Sequence, residues 1–111
     1  MVETRLVICT FPDEVGALRA ARSLVRRRLA ACVQVLGPIH SVYRWRGKVK
    51  ESAEWLCLAK TTAARYPRLE AALLRLHPYD TPEVVALPLA EGHSRYLKWL
   101  ARSVAPARRR A

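Results

Sequence analysis

Ser41-Val42-Tyr43-Arg44-Trp45-Arg46-Gly47-Lys48 reads as the far end of one strand and the turn that follows it. Strand-forming residues run up to Trp45, with Ser41, Tyr43 and Trp45 on one face, and Arg46-Gly47-Lys48 supplies the reversal. Upstream, Ala31 to Leu36 has the same strand character. Gly37-Pro38 between the two runs marks a bulge or bend within one strand, not its end. Downstream, Val49 to Lys60 returns as a further strand. Trp55, Cys57 and Ala59 share one of its faces, and Glu54, Leu56, Leu58 and Lys60 share the other. The whole is one long hairpin. Its arms exceed the usual five or six residues of a strand. A lone chain of 111 residues has little with which to cover such arms, so the excess is expected to pair or pack with another subunit. The basic residues near the tip, Arg44, Arg46, Lys48 and Lys50, also discourage unwanted strand pairing.

The elements on either side complete the pattern. Leu6-Val7-Ile8-Cys9 is a short apolar run suited to a buried central strand. Thr10-Phe11-Pro12-Asp13-Glu14 then reads as a helix start, with Thr10 or Asp13 as cap. Leu18, Ala21, Val25 and Leu29 give that helix an apolar face, and Arg19, Arg22 and Arg26 lie on another. After the hairpin, Thr61 or Thr62 caps a second helix that begins near Ala64. Its stripe is Tyr66, Leu69, Leu73 and Leu76. Pro78 bars His77 from helical geometry and ends the helix there. Glu83 to Leu87 is a fourth strand, placed near a sheet edge by Pro88. Ser94 caps a last helix carrying Tyr96, Leu97, Trp99, Leu100 and Val104. The order strand, helix, strand, strand, helix, strand is the split βαβ arrangement of an α+β, ferredoxin-like βαββαβ fold, here with an added C-terminal helix. One domain is expected over residues 1–104, followed by a basic, disordered tail over 105–111.

Composition narrows the function. The net charge is +11, from 20 Lys plus Arg against 9 Asp plus Glu, so contact with polyanions has to be considered. No apolar run approaches the ~20 residues of a membrane span. The opening residues, broken by Glu3 and Arg5, do not resemble a signal peptide, so a cytoplasmic location is expected. Cys9, Cys32 and Cys57 form no Cys-x-x-Cys pair, and their odd number fits reduced thiols. No nucleotide-binding glycine loop, zinc-protease or serine-hydrolase motif is present. The fold shape is shared with the RNA recognition module, but that module's aromatic strand signature is missing. The third strand reads Glu-Trp-Leu-Cys-Leu-Ala-Lys instead, which makes specific reading of nucleic acid unexpected.

Chemistry concentrates in Leu76 to Pro88, where His77 stands at a helix end near Tyr79, Asp80 and Glu83. Cys9 with His77 makes either a nucleophilic pair or two ligands for copper or zinc. Two such ligands are too few for a closed structural site.

Several ordered segments carry a family resemblance: Cys-Thr-x-Pro-Asp at 9–13, Arg-Leu-Ala-Ala-Cys-Val at 28–33, Ser-Val-Tyr-Arg-Trp-Arg-Gly-Lys at 41–48, Leu-Ala-Lys-Thr at 58–61, His-Pro-Tyr-Asp-Thr-Pro-Glu at 77–83, Ala-Leu-Pro at 86–88 and Tyr-Leu-Lys-Trp-Leu at 96–100. Over about residues 4–102 the chain resembles the CutA divalent-cation tolerance family. The resemblance implies a cytoplasmic, non-enzymatic homotrimer whose long hairpins exchange strand contacts between subunits. It also implies a link to tolerance of copper and other divalent cations. Cys9 and His77 stand where the family has ligated copper. Where some members carry a further histidine this chain has Leu76, which weakens the site or shifts ligation to Glu83 or water. The implied inter-subunit cleft holds Trp45, Lys60, Tyr79, Glu83, Tyr96 and Trp99. The trimeric architecture is similar to that of PII signalling proteins, so a regulator binding a small anionic effector in that cleft is the alternative. Nonspecific nucleic-acid contact through the basic surface is a third.

Overall fold

The computed structural model describes residues 2–106. The chain runs β1 (Thr4–Phe11), α1 (Glu14–Arg26), β2 (Cys32–Trp45), β3 (Lys48–Thr62), α2 (Tyr66–Leu76), β4 (Val84–Pro88) and α3 (Ser94–Ser103). One sheet has the order β2-β3-β1-β4, with every neighbouring pair antiparallel. This is the expected α+β, ferredoxin-like arrangement. β1 is central and β4 lies at an edge, with Pro88 opposite Arg5. None of the described helices is long and apolar enough to cross a membrane. The expected 105–111 tail falls outside the described residues from 107 onward; Ala105 and Pro106 are exposed.

The helix layer owes its closeness to alanine. Ala17, Ala20 and Leu24 of α1 are buried against Val7, Cys9, Cys57 and Ala59 of the sheet. The apolar stripe expected on α1 is therefore rotated. Ala21 is buried, but Val25 is 42% exposed, because the small Ala17/Ala20 side lets the backbone approach more closely than a Leu/Val side could. α1 stops at Arg26 in a Schellman turn. Leu29 N–H bonds Leu24 O at 2.9 Å and Arg28 N–H bonds Val25 O at 3.1 Å. Arg28 takes the left-handed position (φ 57°) usually held by glycine. Leu29 thus reaches the core after the helix, not from it.

Both later helix starts differ from expectation. Thr61 and Thr62 remain in β3, where the Thr61 hydroxyl donates to Leu29 O at 2.7 Å. The Thr62 hydroxyl accepts from Arg65 N–H at 3.3 Å and tightens the turn into α2, which begins at Tyr66. α3 has His93 at its N-cap and Ser94 as its first residue. Asp13 does cap α1, accepting from Gly16 N–H at 2.7 Å. α3 is anchored through Leu100 and Val104 in a separate small cluster with Ala31 and Leu89.

The hairpin is as long as expected, with 14 residues in β2 and 15 in β3. Arg46 (φ 52°) and Gly47 (φ 77°) form its two-residue turn. Near the base the register slips between Leu36 and Ile39. Leu36 faces Leu56 but Ile39 faces Glu54, so β2 carries one extra residue. A Cβ on Gly37 would lie 2.7 Å from the Trp55 ring, so only glycine allows the indole to cross there. The slip exchanges the faces of β2. Val33 and Val35 pair with Ala59 and Cys57 toward the helices. Beyond the slip Ser41, Tyr43 and Trp45 pair with Ser52, Lys50 and Lys48 on the opposite side.

That opposite side of the sheet is apolar and uncovered over much of its area. Ile8 lies between Leu58 and Val85, Leu6 lies beside Leu87, and Leu36 faces Leu56. Leu36, Val85 and Leu87 are 45–47% exposed. The radius of gyration is 15.0 Å, against about 13 Å for a compact chain of this length. The excess is the projecting hairpin.

Candidate functional site

The residues singled out around β1 converge on its C-terminal end. His77 is the C-cap of α2, its N–H bonding Leu73 O at 2.9 Å. Its imidazole is 8% exposed and stacks on Phe11, with ring centroids 4.3 Å apart. Nε2 lies 2.6 Å from the Thr10 carbonyl, and Nδ1 accepts from the Tyr79 N–H at 3.1 Å. A carbonyl only accepts, so this pattern assigns a neutral ring with the proton on Nε2. Both nitrogens are engaged. A metal would have to displace one of these bonds before it could be ligated.

Cys9 sits opposite Cys57 on the helix-facing side of the sheet, and both are buried. Burial first, then neighbouring Cys57, Glu83 and Glu54, push the Cys9 thiol up to about 12. Burial pushes Cys57 up to about 11. Such a thiol is a poor nucleophile, which removes the support for a Cys9–His77 catalytic pair. The unfolded chain releases these protons near 9.0. Between that value and about 11–12 the folded chain holds more protons, so stability is intact below pH 9 and falls as pH rises through the window. Alkylation with iodoacetamide at pH 8 is expected to modify partly exposed Cys32 and spare Cys9 and Cys57, as read by peptide mass spectrometry. Rapid modification of Cys9 in the folded chain would refute the buried-thiol description.

A cavity of about 730 Å³ opens on the other side of β1. The hairpin supplies Tyr43, Arg44, Trp45, Lys50 and Glu54, and the turn after α2 supplies Tyr79, Asp80 and Glu83. Glu54 is 7% exposed. Its carboxylate accepts from the Tyr79 hydroxyl at 3.3 Å. Burial and then Glu54 push the Tyr79 phenol up to about 12, so it donates throughout the neutral range. The Trp45 ring carries Arg46 at 5.9 Å from its centroid. Glu54 was legible only as one of four residues sharing a face. A single acid in the apolar run Ala53 to Ala59 was the available signal, because a charge there needs a partner.

The six expected cleft residues are divided within one chain. Trp45, Tyr79 and Glu83 line this cavity. Lys60 bonds Gln34 Oε1 farther along the sheet, near the base of the hairpin. Tyr96 holds Cys32 at 3.2 Å, and this bond, with burial, pushes its phenol up to about 12. Trp99 lines a different hollow with Arg26, Arg28 and Arg102. No group of three or more His, Cys, Asp or Glu side chains is assembled to hold a metal among the described residues. The donors as arranged do not fit a closed site. Glu54, Asp80 and Glu83 line the cavity, while the Cys9 thiol is buried on the helix-facing side of the sheet.

A family model described as CutA1 divalent ion tolerance protein matches residues 5–103. The divalent-cation tolerance protein CutA of Thermus thermophilus is 48% identical over 95 residues, which span 86% of this chain and 92% of that one. The solved structure of a divalent cation tolerance protein from Thermus thermophilus has a TM-score of 0.90 at 45% identity, covering 92% of this chain and 99% of that one. That of CutA1 from Oryza sativa has a TM-score of 0.91 at 39% identity, covering 96% and 97%.

Proposed function

Because the chain belongs to the CutA1 divalent ion tolerance family, we propose that it binds a divalent cation, copper first, weakly and reversibly, and acts by binding and not by catalysis. Glu83 is the entry ligand, with Cys9 and His77 joining as the thiol gives up its proton and the imidazole releases one of its bonds. The observation that carries this reading is the pair of carboxylates, Glu54 and Glu83, lining the open cavity beside Thr10. Burial first, then neighbouring Cys57, Glu83 and Glu54, keeps Cys9 protonated, and a cation held at Glu83 would offset the carboxylate part of that effect. The working form is a homotrimer in the cytoplasm. The uncovered apolar sheet face supports the assembly, and three free thiols fit a reducing compartment.

Calorimetric titration with Cu(II) and Zn(II) tests the metal reading. Glu83→Gln and Cys9→Ser are expected to weaken binding about tenfold or more. Proton release from Cys9 should make the measured enthalpy vary with the buffer's ionisation heat. Equal affinity in the parent and both variants would sink the assignment.

A second reading, a PII-like regulator with a small anionic effector, is favoured by the cavity itself. Its volume lies in the range of small-molecule sites, and it pairs the aromatic rings of Tyr43, Trp45 and Tyr79 with Arg44 and Lys50. A thermal-shift screen of anionic metabolites decides it. A hit that Lys50→Ala leaves unchanged would count against this cavity.

A further inference from the structure

The start of α2 inverts the usual electrostatics of a helix. Helix N-termini carry partial positive charge and favour acids. α1 obeys this rule, with Asp13 as cap and Glu14 in the first turn. α2 has no acid in its first turn and no side-chain cap bond. It places Arg65 at the cap and Arg68 in the first turn, cations against the positive end. Burial first, and then the neighbouring Arg68, push the Arg65 guanidinium below its ordinary value.

These arginines face a groove. Arg27, Arg65, Arg68 and Arg75 line a pocket of about 300 Å³ whose floor is Leu29, Ala71 and Ala72. On α2 the positions 65, 68, 72 and 75 follow the helical i, i+3, i+4 repeat and make one stripe. Ten residues of helix extend about 15 Å, so the guanidiniums form a ladder and not a point. Arg65 is held in place by two bonds, from Nε and Nη2 to the Arg28 carbonyl, each 3.2 Å. That carbonyl is presented by the left-handed turn after α1. None of the four has an acidic partner: the ion pairs among the described residues are Arg5–Glu3 and His40–Glu51. The one acid on α2, Glu70, accepts from the Tyr66 hydroxyl at 2.7 Å.

We propose that this groove, between the loop after α1 and the length of α2, is a binding site for a short chain of phosphoryl groups, as in an inorganic oligophosphate or the triphosphate of a nucleotide. Planar guanidinium forks match phosphate oxygens two at a time. Small floor residues let a linear anion lie close to the helix, and the positive end of the helix dipole adds to the attraction. A single carboxylate or phosphate would engage only part of the ladder. The groove belongs to the helix layer, so sheet-to-sheet assembly leaves it open, and it shares no residue with the cavity beside Tyr79.

The test is titration of the full chain with inorganic tripolyphosphate at about 0.1 M salt, where exposed charges are screened over ~10 Å. One saturable site per chain is expected. Arg68→Gln/Arg75→Gln should weaken it at least tenfold. Arg19→Gln/Arg22→Gln removes the same charge from exposed positions of α1 and should change it less than twofold. The cation lost from the helix start and the one lost from the last turn act in opposite senses on the helix dipole, so the melting temperature of the first variant should change little, and misfolding is not a refuge. Adenosine triphosphate binding as tightly as tripolyphosphate would assign the nucleotide source, and much weaker binding would assign the free chain. Either outcome supports the site. Absence of saturable binding would overturn it. So would equal losses in the two double variants, or a single-stranded oligonucleotide that binds more tightly and loses affinity equally in both. Those last results would make the surface a diffuse polyanion binder.

Discussion

His77→Ala is expected to cost about 3–4 kcal/mol of folding stability. The imidazole is buried, and its loss leaves a cavity beneath Phe11, a penalty of roughly 2–4 kcal/mol for side chains of this size. It also leaves the Thr10 carbonyl with only the weak Cys9 thiol contact at 3.9 Å, and an under-satisfied buried group costs about 1–3 kcal/mol. The Tyr79 N–H loses its acceptor as well. The amide nitrogen of glutamine can reach where Nε2 stands, so His77→Gln should recover about half of the loss. Urea unfolding of the three proteins at one fixed concentration reads the difference, because any contribution of assembly is then compared at the same protomer concentration. A variant within about 1 kcal/mol of the parent would show that the ring is not a structural cross-brace. This result also separates two roles that share one residue. A metal titration on His77→Ala alone would confound lost ligation with a collapsed turn, and Glu83→Gln avoids that ambiguity.

The second large effect concerns assembly. Leu36→Glu is expected to yield a folded particle with the mass of one 12.6 kDa chain where the parent has the mass of three. Leu36 is nearly half exposed in the single chain, so a carboxylate there is tolerated by the monomer fold. In an interface it becomes an unpaired buried charge, at several kcal/mol per site. Light scattering with circular dichroism decides the matter. A monomeric parent, or a variant that still assembles, would remove the basis for the homotrimer.

The sequence was informative where local chemistry dominates. The length of the hairpin, the break at Gly37-Pro38, the stop at His77-Pro78 and the edge position of the last strand each follow from backbone constraints. Those constraints act on two or three residues. Where the answer depended on what lies across a packed layer, reading in one dimension failed. The α1 stripe was rotated because alanines won the close contact over Val25. The role of His77 was ambiguous for the same reason: Phe11 and the Thr10 carbonyl, which occupy it, are more than sixty residues away. The six cleft residues share no single site in one chain, because a sequence cannot say which residues meet within a subunit and which only between subunits.

The slipped register at Gly37-Pro38 sets a counting rule for the hairpin. Side chains alternate along a strand with a period of two, so one extra residue inverts every position beyond it. Tyr43 and Trp45 face the cavity only because that inversion happens once. A single-residue deletion anywhere between Val33 and Ser41 would turn both rings to the wrong side while leaving their chemistry untouched. Changes of length at the Arg46-Gly47 tip, made two residues at a time in matched pairs, would leave the phase intact. Loss and gain of residues is thus policed by parity along this arm, and the arm can be lengthened or trimmed at its end far more freely than edited at its base.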